Sequence, residues 1–226
     1  NGKVFDIEKI AKKIKEKNKN IYIAVDGAQA LGNLPSVDFE RLETSGIDFY
    51  AATPHKTLGS YPLGVLYISQ RVRENIKNLR GLHPEKQIIM KGMIHKSLNI
   101  RPNVTSKLNP LRFLAVSTAI DLLRKKGYLK KTSFSNKVKY ILSLKKRFTK
   151  EVSKRNFELE NIKPQSPAIL SFKIQKKNNG KIVKKLQEKG IFCSYISETQ
   201  NIRVSFDITN NYEDISFFFK ELDLML

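Results

Sequence analysis

Two short apolar runs, at residues 21–25 and 47–52, constrain this chain more than any other feature, because a helix pattern over 35–46 lies between them. Strand, helical crossover and strand in that order make a right-handed unit whose two strands run parallel. A further apolar run at 64–69, with helix patterns at 4–17 and 70–79, continues the alternation. The expectation is an α/β sheet, parallel or mixed, covered by helices. Sheets of this kind present ligands at the carboxyl ends of their strands. Polar clusters stand at both such ends: Asp26, Gly27, Ala28 and Gln29 after the first run, and Thr53, Pro54, His55 and Lys56 after the second.

Beyond residue 80 the style changes. Residues 80–109 are rich in Gly, Pro, Lys and Asn with little periodicity, and read as an active-site or interface loop. Long helix patterns follow at 110–125 and 129–155. A strand at 168–174, a helix at 180–189, strands at 191–195 and 202–206 and a last helix at 212–224 then make a small α+β lobe. The expected division is an α/β part at 1–109 and, at 110–226, a small α+β domain together with the two long helices that link it to the first part.

An aspartate and a lysine at neighbouring strand ends suit one cofactor chemistry in particular. Pyridoxal phosphate (PLP) needs a lysine amine to hold it as a Schiff base and a carboxylate to keep its pyridine nitrogen protonated, so that the ring can withdraw electrons. Lys56 and Asp26 match those needs. Lys56 sits among Ala51, Ala52, Pro54, Leu58 and Gly59 with no adjacent acid, a setting in which burial is expected to favour the neutral, nucleophilic amine. Each residue also has a plainer reading: Lys56 as a surface charge, Asp26 as a turn or cap carboxylate, His55 as a loop histidine.

The ordered set settles which reading is adopted. Residues 25–32, 48–56 and 62–67 together resemble the aminotransferase class V family of fold type I PLP enzymes, a superfamily that includes isopenicillin N epimerase-like enzymes and cysteine desulfurases. The resemblance implies that Lys56 is the Schiff-base lysine, Asp26 the partner of the pyridine nitrogen and Gln29 the partner of the ring's phenolic oxygen. It also implies that Thr53 and His55 contact the cofactor phosphate. The chain resembles a carboxy-terminal fragment: the second half of the large domain, followed by the small α+β domain. The upstream half, with the residue that stacks on the pyridine ring and a further phosphate loop, is expected to lie outside this sequence.

Two further residues take roles from the same resemblance. Arg203, in the segment Ile202, Arg203, Val204, Ser205, Phe206, falls where the family binds the substrate α-carboxylate, which a guanidinium fork matches. Thr105 falls where relatives carry a Gly-Thr pair reaching the cofactor phosphate of a neighbouring subunit, although Val104 replaces the glycine. A homodimer with a shared site is the expectation that follows.

Composition excludes other classes. The net charge of +21 invites a nucleic-acid reading, but the lysines recur on helix patterns, as around Ile10 to Lys15 and Leu144 to Phe148. Apolar residues mark one face there and lysines the other, so solvated helix faces are expected and nucleic acid is not the expected partner. The single cysteine, Cys193, allows no intrachain disulfide, and with three scattered histidines no metal site is expected. No apolar run approaches a membrane span, and the expected setting is cytoplasmic.

The reaction is less constrained, since the protein selects which bond to the substrate's α-carbon changes. The resemblance implies an amino-acid substrate. Cysteine desulfurases of this superfamily need a cysteine on a mobile loop, whereas Cys193 falls inside an expected strand only ten positions before Arg203. Transamination or epimerisation is therefore the first reading, with Lys56 moving the α-proton. A desulfurase-type or selenocysteine lyase-type enzyme, or a silent basic scaffold that keeps the fold, stands as the alternative.

Overall fold

A computed structural model describes residues 2–35, 39–58, 63–75, 110–130, 133–161 and 163–226. The chain forms two compact units, one of Asp6–Leu31 with Asp38–Leu122, and one of Asn1–Phe5, Gly32–Val37 and Leu123–Leu226.

The first unit is built around a mixed three-stranded sheet. Helix α1 (Ile7–Lys17) starts at Asp6, whose carboxylate accepts from Lys9 N–H at 3.0 Å and so satisfies one of the free donors of the first turn. Strand β1 (Ala24–Asp26), helix α2 (Phe39–Ser45), strand β2 (Phe49–Ala52), the short helix α3 (His55–Leu58), strand β3 (Val65–Ile68) and helix α4 (Gln70–Asn75) follow. β1 runs parallel to β2, with Ala24 opposite Phe49 and Asp26 opposite Ala51. β3 then closes on β2 antiparallel. Ala11, Leu42, Ile47 and Val72 are buried in this unit, and an Arg41–Glu8 ion pair of 2.8 Å joins α2 to α1.

Asp48 anchors the amino end of the sheet. It is almost fully buried, and it accepts from Lys15 Nζ at 2.7 Å and from Ile23 N–H at 2.8 Å, with Arg71 Nε at 3.4 Å. A buried carboxylate persists only when paired in this way. A cleft of about 460 Å³ surrounds this network, lined by Lys12, Lys15, Lys19, Asp48 and Arg71 among others. It lies at the opposite end of the sheet from Asp26.

Helix α5 (Pro110–Lys125) has the bounds its pattern suggests, and α6 (Ser135–Lys154) opens the second unit's main layer. There, strands β4 (Glu158–Leu159), β5 (Ile169–Lys173), β6 (Ser194–Ile196) and β7 (Asn201–Ser205) form an antiparallel sheet in the order β4-β5-β7-β6. α6, α7 (Asn179–Glu188) and α8 (Tyr212–Asp223) supply the apolar layer. Phe148 is central to it, with the rings of Phe172, Phe206, Phe218 and Phe219 all within 5.9 Å. α8 begins with a reciprocal cap between Asn211 and Asp214.

Two elements escape the sequence pattern: α3, too short to show a period, and the two-residue β4. The reading of the α6 lysines as a solvated face also needs correction. Lys137 is wholly buried beside Asp207 at 3.0 Å, and Lys145 is buried with its amine on the Ser166 carbonyl at 2.6 Å. A lysine's long apolar stem lets it lie within a packed face, so period alone assigned Lys145 to the wrong side.

Among the described residues no helix is long and apolar enough to cross a membrane, and no group of three His, Cys, Asp or Glu is placed to hold a metal.

Candidate active site

The parallel pairing of β1 with β2 brings two loops together at one end of the sheet. Gly27 N–H donates to Ala51 O at 2.7 Å, carrying the ladder one residue past Asp26. Thr53 Oγ1 then donates to Ala28 O at 3.0 Å, tying the loop after β2 to the loop after β1. Asp26 and Lys56 are thereby presented on the same edge, from residues 30 positions apart in the chain.

Asp26 is held by its own loop. Its Oδ1 accepts from Ala28 N–H at 2.9 Å, a side-chain-to-backbone turn that fixes the carboxylate and leaves Oδ2 to face another donor. Gly27 follows for a steric reason: the Tyr50 ring lies against its Cα. Tyr50 is buried, and burial, followed by the nearby Asp26 charge, pushes its phenol above its ordinary pKa, so it stays protonated. Neither Gly27 nor Tyr50 was singled out from sequence. The signal available was the alternation of β2, which sends Tyr50 and Ala52 to the same buried face.

Lys56 stands in the first turn of α3, its N–H donating to Thr53 O at 3.3 Å. Its side chain is exposed, which corrects the expectation of burial, and it makes no ion pair among the described residues. His55 is half-buried at the start of the same helix, and Gln29 is exposed in the turn after β1. The Thr53 hydroxyl proton is directed at Ala28 O, so a phosphate contact would require that hydroxyl to turn.

These residues fit PLP. A backbone-fixed carboxylate with one uncommitted oxygen and a lysine without an ionic partner are the two groups the cofactor requires, and they share a strand-end edge. Thr105 lies outside the described residues.

Arg203 belongs to the other unit, in the middle of β7. It is paired across the sheet with Ser171 of β5 and Ser194 of β6. Its Nη2 donates to Ser194 Oγ at 3.3 Å, while Nε is buried without a hydrogen-bond partner. No carboxylate pairs with it among the described residues, so its positive charge is uncompensated by a side-chain acid there. Cys193 lies one residue before β6, a small shift from the expected position inside the strand.

A model of the family described as aminotransferase class V matches residues 1–218. A probable cysteine desulfurase of Mycoplasma genitalium is 30% identical over 149 residues, which is 64% of this chain and 33% of that protein. A cysteine desulfurase of Wigglesworthia glossinidia brevipalpis is 32% identical over 138 residues, 59% of this chain and 30% of its own length. The chain thus spans about a third of the curated relatives it matches. Among solved structures, an apo cysteine desulfurase from Thermococcus onnurineus NA1 superposes with a TM-score of 0.73 at 19% identity, covering 99% of this chain and 56% of that one. That likeness shows the fold.

Proposed function

Given that this chain belongs to the aminotransferase class V family of PLP-dependent enzymes, we propose that it carries the lysine side of an active site that breaks the carbon–sulfur bond of a cysteine-type amino acid. The observation that carries the cofactor side is the joined strand-end edge, where Asp26 and Lys56 are held by the Ala51 and Thr53 hydrogen bonds. The choice of substrate is supported by the two curated relatives, both named as cysteine desulfurases. They favour the carbon–sulfur reading that the sequence placed second over transamination or epimerisation.

PLP, when bound, supplies the electron sink that makes the bonds at the substrate's α-carbon breakable. Asp26 would face the pyridine nitrogen with its free Oδ2, and Lys56 would hold the cofactor and, once released by the incoming amine, carry the α-proton as base and then acid. Arg203 would take the substrate carboxylate in its two-donor fork. Tyr50, protonated and packed beside Gly27, would keep the Asp26 loop in place.

The test is covalent. The purified protein is mixed with PLP and reduced with borohydride, and the labelled peptide is identified by mass spectrometry. Label on Lys56, and its loss in Lys56→Ala, is the expected result. A label that falls elsewhere, or none, would overturn the assignment.

A further inference from the structure

The antiparallel sheet of the second unit ends in a strand that carries no charge. In the order β4-β5-β7-β6, β6 is paired on one side only, to β7. Gln187 Nε2 donates to Cys193 O at 3.3 Å, so this carbonyl is turned away from β7. In an antiparallel ladder a residue's N–H and C=O point to one side and the sides alternate along the strand. Tyr195 therefore also turns both groups outward, while Ser194 and Ile196 bond β7. Tyr195 stands opposite Ile202 and shares its face with Cys193, which packs on the core, on the other side of the sheet from Arg203. Edge strands are ordinarily blunted by lysine or proline. Residues 192–197 hold neither, and no charge of any kind, in a chain where 28% of residues are charged. Phe192, at 86% exposure, and Tyr195, at 41%, add apolar area to the same edge.

The helix beside this edge is basic. α7 turns Ile182, Val183 and Leu186 into the core, and two contacts mark its flank toward β6: Gly180 lies against the Tyr195 ring, and Gln187 reaches Cys193. Lys184 stands between these two positions on the same flank, one helical turn from each, with Lys181 and Lys185 beside it. All three lysines are exposed, and none pairs with an acid among the described residues.

We propose that β6 is a docking edge on which an acidic, extended segment of another protein adds as a further strand, its carboxylates meeting the α7 lysines. The outward N–H and C=O of Tyr195 set the register of the added strand, and the exposed rings cover its apolar side chains. The lysines select the sign of the partner. A second copy of this chain would bring the same lysines against themselves. A nucleic acid would meet the lysines and rings, but strand addition also satisfies both outward groups of Tyr195 in one register. The docked segment lies one strand away from Arg203 on β7.

The experiment titrates the full chain against a fluorescent peptide of about eight alternating valine and glutamate residues and reads anisotropy, with amide exchange of Tyr195 as the second readout. Saturable binding that slows exchange at Tyr195 is expected. Lys181→Glu with Lys184→Glu is expected to weaken it at least about tenfold, with thermal unfolding unchanged. A peptide N-methylated at alternate residues keeps every charge but cannot complete the ladder, and is expected not to bind. Tyr195→Pro removes an N–H that β7 does not use, and is expected to lose binding likewise. Absence of binding, equal binding of the N-methylated peptide, or equal binding of a valine and lysine peptide overturns the proposal. Displacement of the peptide by a lower concentration of single-stranded oligothymidylate overturns it in favour of nucleic acid. Dimerisation of the natural chain that Tyr195→Pro abolishes overturns it in favour of a second copy.

Discussion

The Tyr50 ring fills the space in which a side chain at position 27 would stand: a Cβ on Gly27 would come within 2.1 Å of Tyr50 Cζ. Glycine is required there by this close approach and not by an unusual backbone angle. The contact joins the middle of β2 to the loop that holds Asp26.

Gly27→Ala is therefore expected to displace Tyr50 or the loop, at a cost of about 1–3 kcal/mol for overpacking. Chemical denaturation reads the loss of stability. The same variant is expected to weaken borohydride labelling of Lys56, since Gly27 N–H also bonds Ala51 O. Unchanged stability would mean that the ring moves freely.

Asp48→Ala strands Lys15 and Arg71 without their buried partner and removes the acceptor of Ile23 N–H. Breaking a buried ion pair from one side costs about 3–5 kcal/mol. Thermal unfolding at matched pH is the measurement. A small effect would show that water replaces the carboxylate in the surrounding cleft.

Lys145 gives a pH signature with a definite sign. Burial lowers its pKa from 10.5 to about 8, so the unfolded chain holds this proton more tightly than the folded one. Below about pH 8 both states are charged and the full cost of burying the ammonium is present. As pH rises from about 8 to 10.5 the folded chain releases the proton first, and that cost is relieved. Relative to Lys145→Met, the natural protein is expected to gain about 1–3 kcal/mol between neutral pH and about pH 10. Urea unfolding of both proteins across that range measures it, and parallel pH curves would contradict it.

Arg203→Lys keeps the charge but removes the planar fork. On the proposed function, KM for amino-acid substrates is expected to rise about 10- to 100-fold, with borohydride labelling of Lys56 unchanged. Steady-state kinetics against substrates with and without an α-carboxylate checks this. Equal losses for both kinds would reassign Arg203 to a structural role.

Much of the architecture was legible because it is written in local periods. The runs at 21–25 and 47–52 became β1 and β2 in parallel register, and the patterns at 110–125 and 212–224 became α5 and α8 almost residue for residue. Strand ends were less exact: β1 begins at Ala24 and extends to Asp26, because pairing with β2 and not apolarity decides where a strand stops. Helix α3 and strand β4 were invisible, each being too short to carry a period.

The sequence by itself determined the family and the cofactor, and residue order with strand-end logic placed Asp26 and Lys56 after neighbouring parallel strands. Only the tertiary structure decided how each side chain meets its surroundings. It exposed Lys56, turned the Thr53 proton onto Ala28, buried Lys137 and Lys145, set Tyr50 against Gly27 and put Cys193 behind the sheet from Arg203. The physical reason is the same in every case. Local spacing sets which face of an element a residue occupies, but burial, hydrogen-bond direction and steric approach are set by whatever the other elements bring to that face.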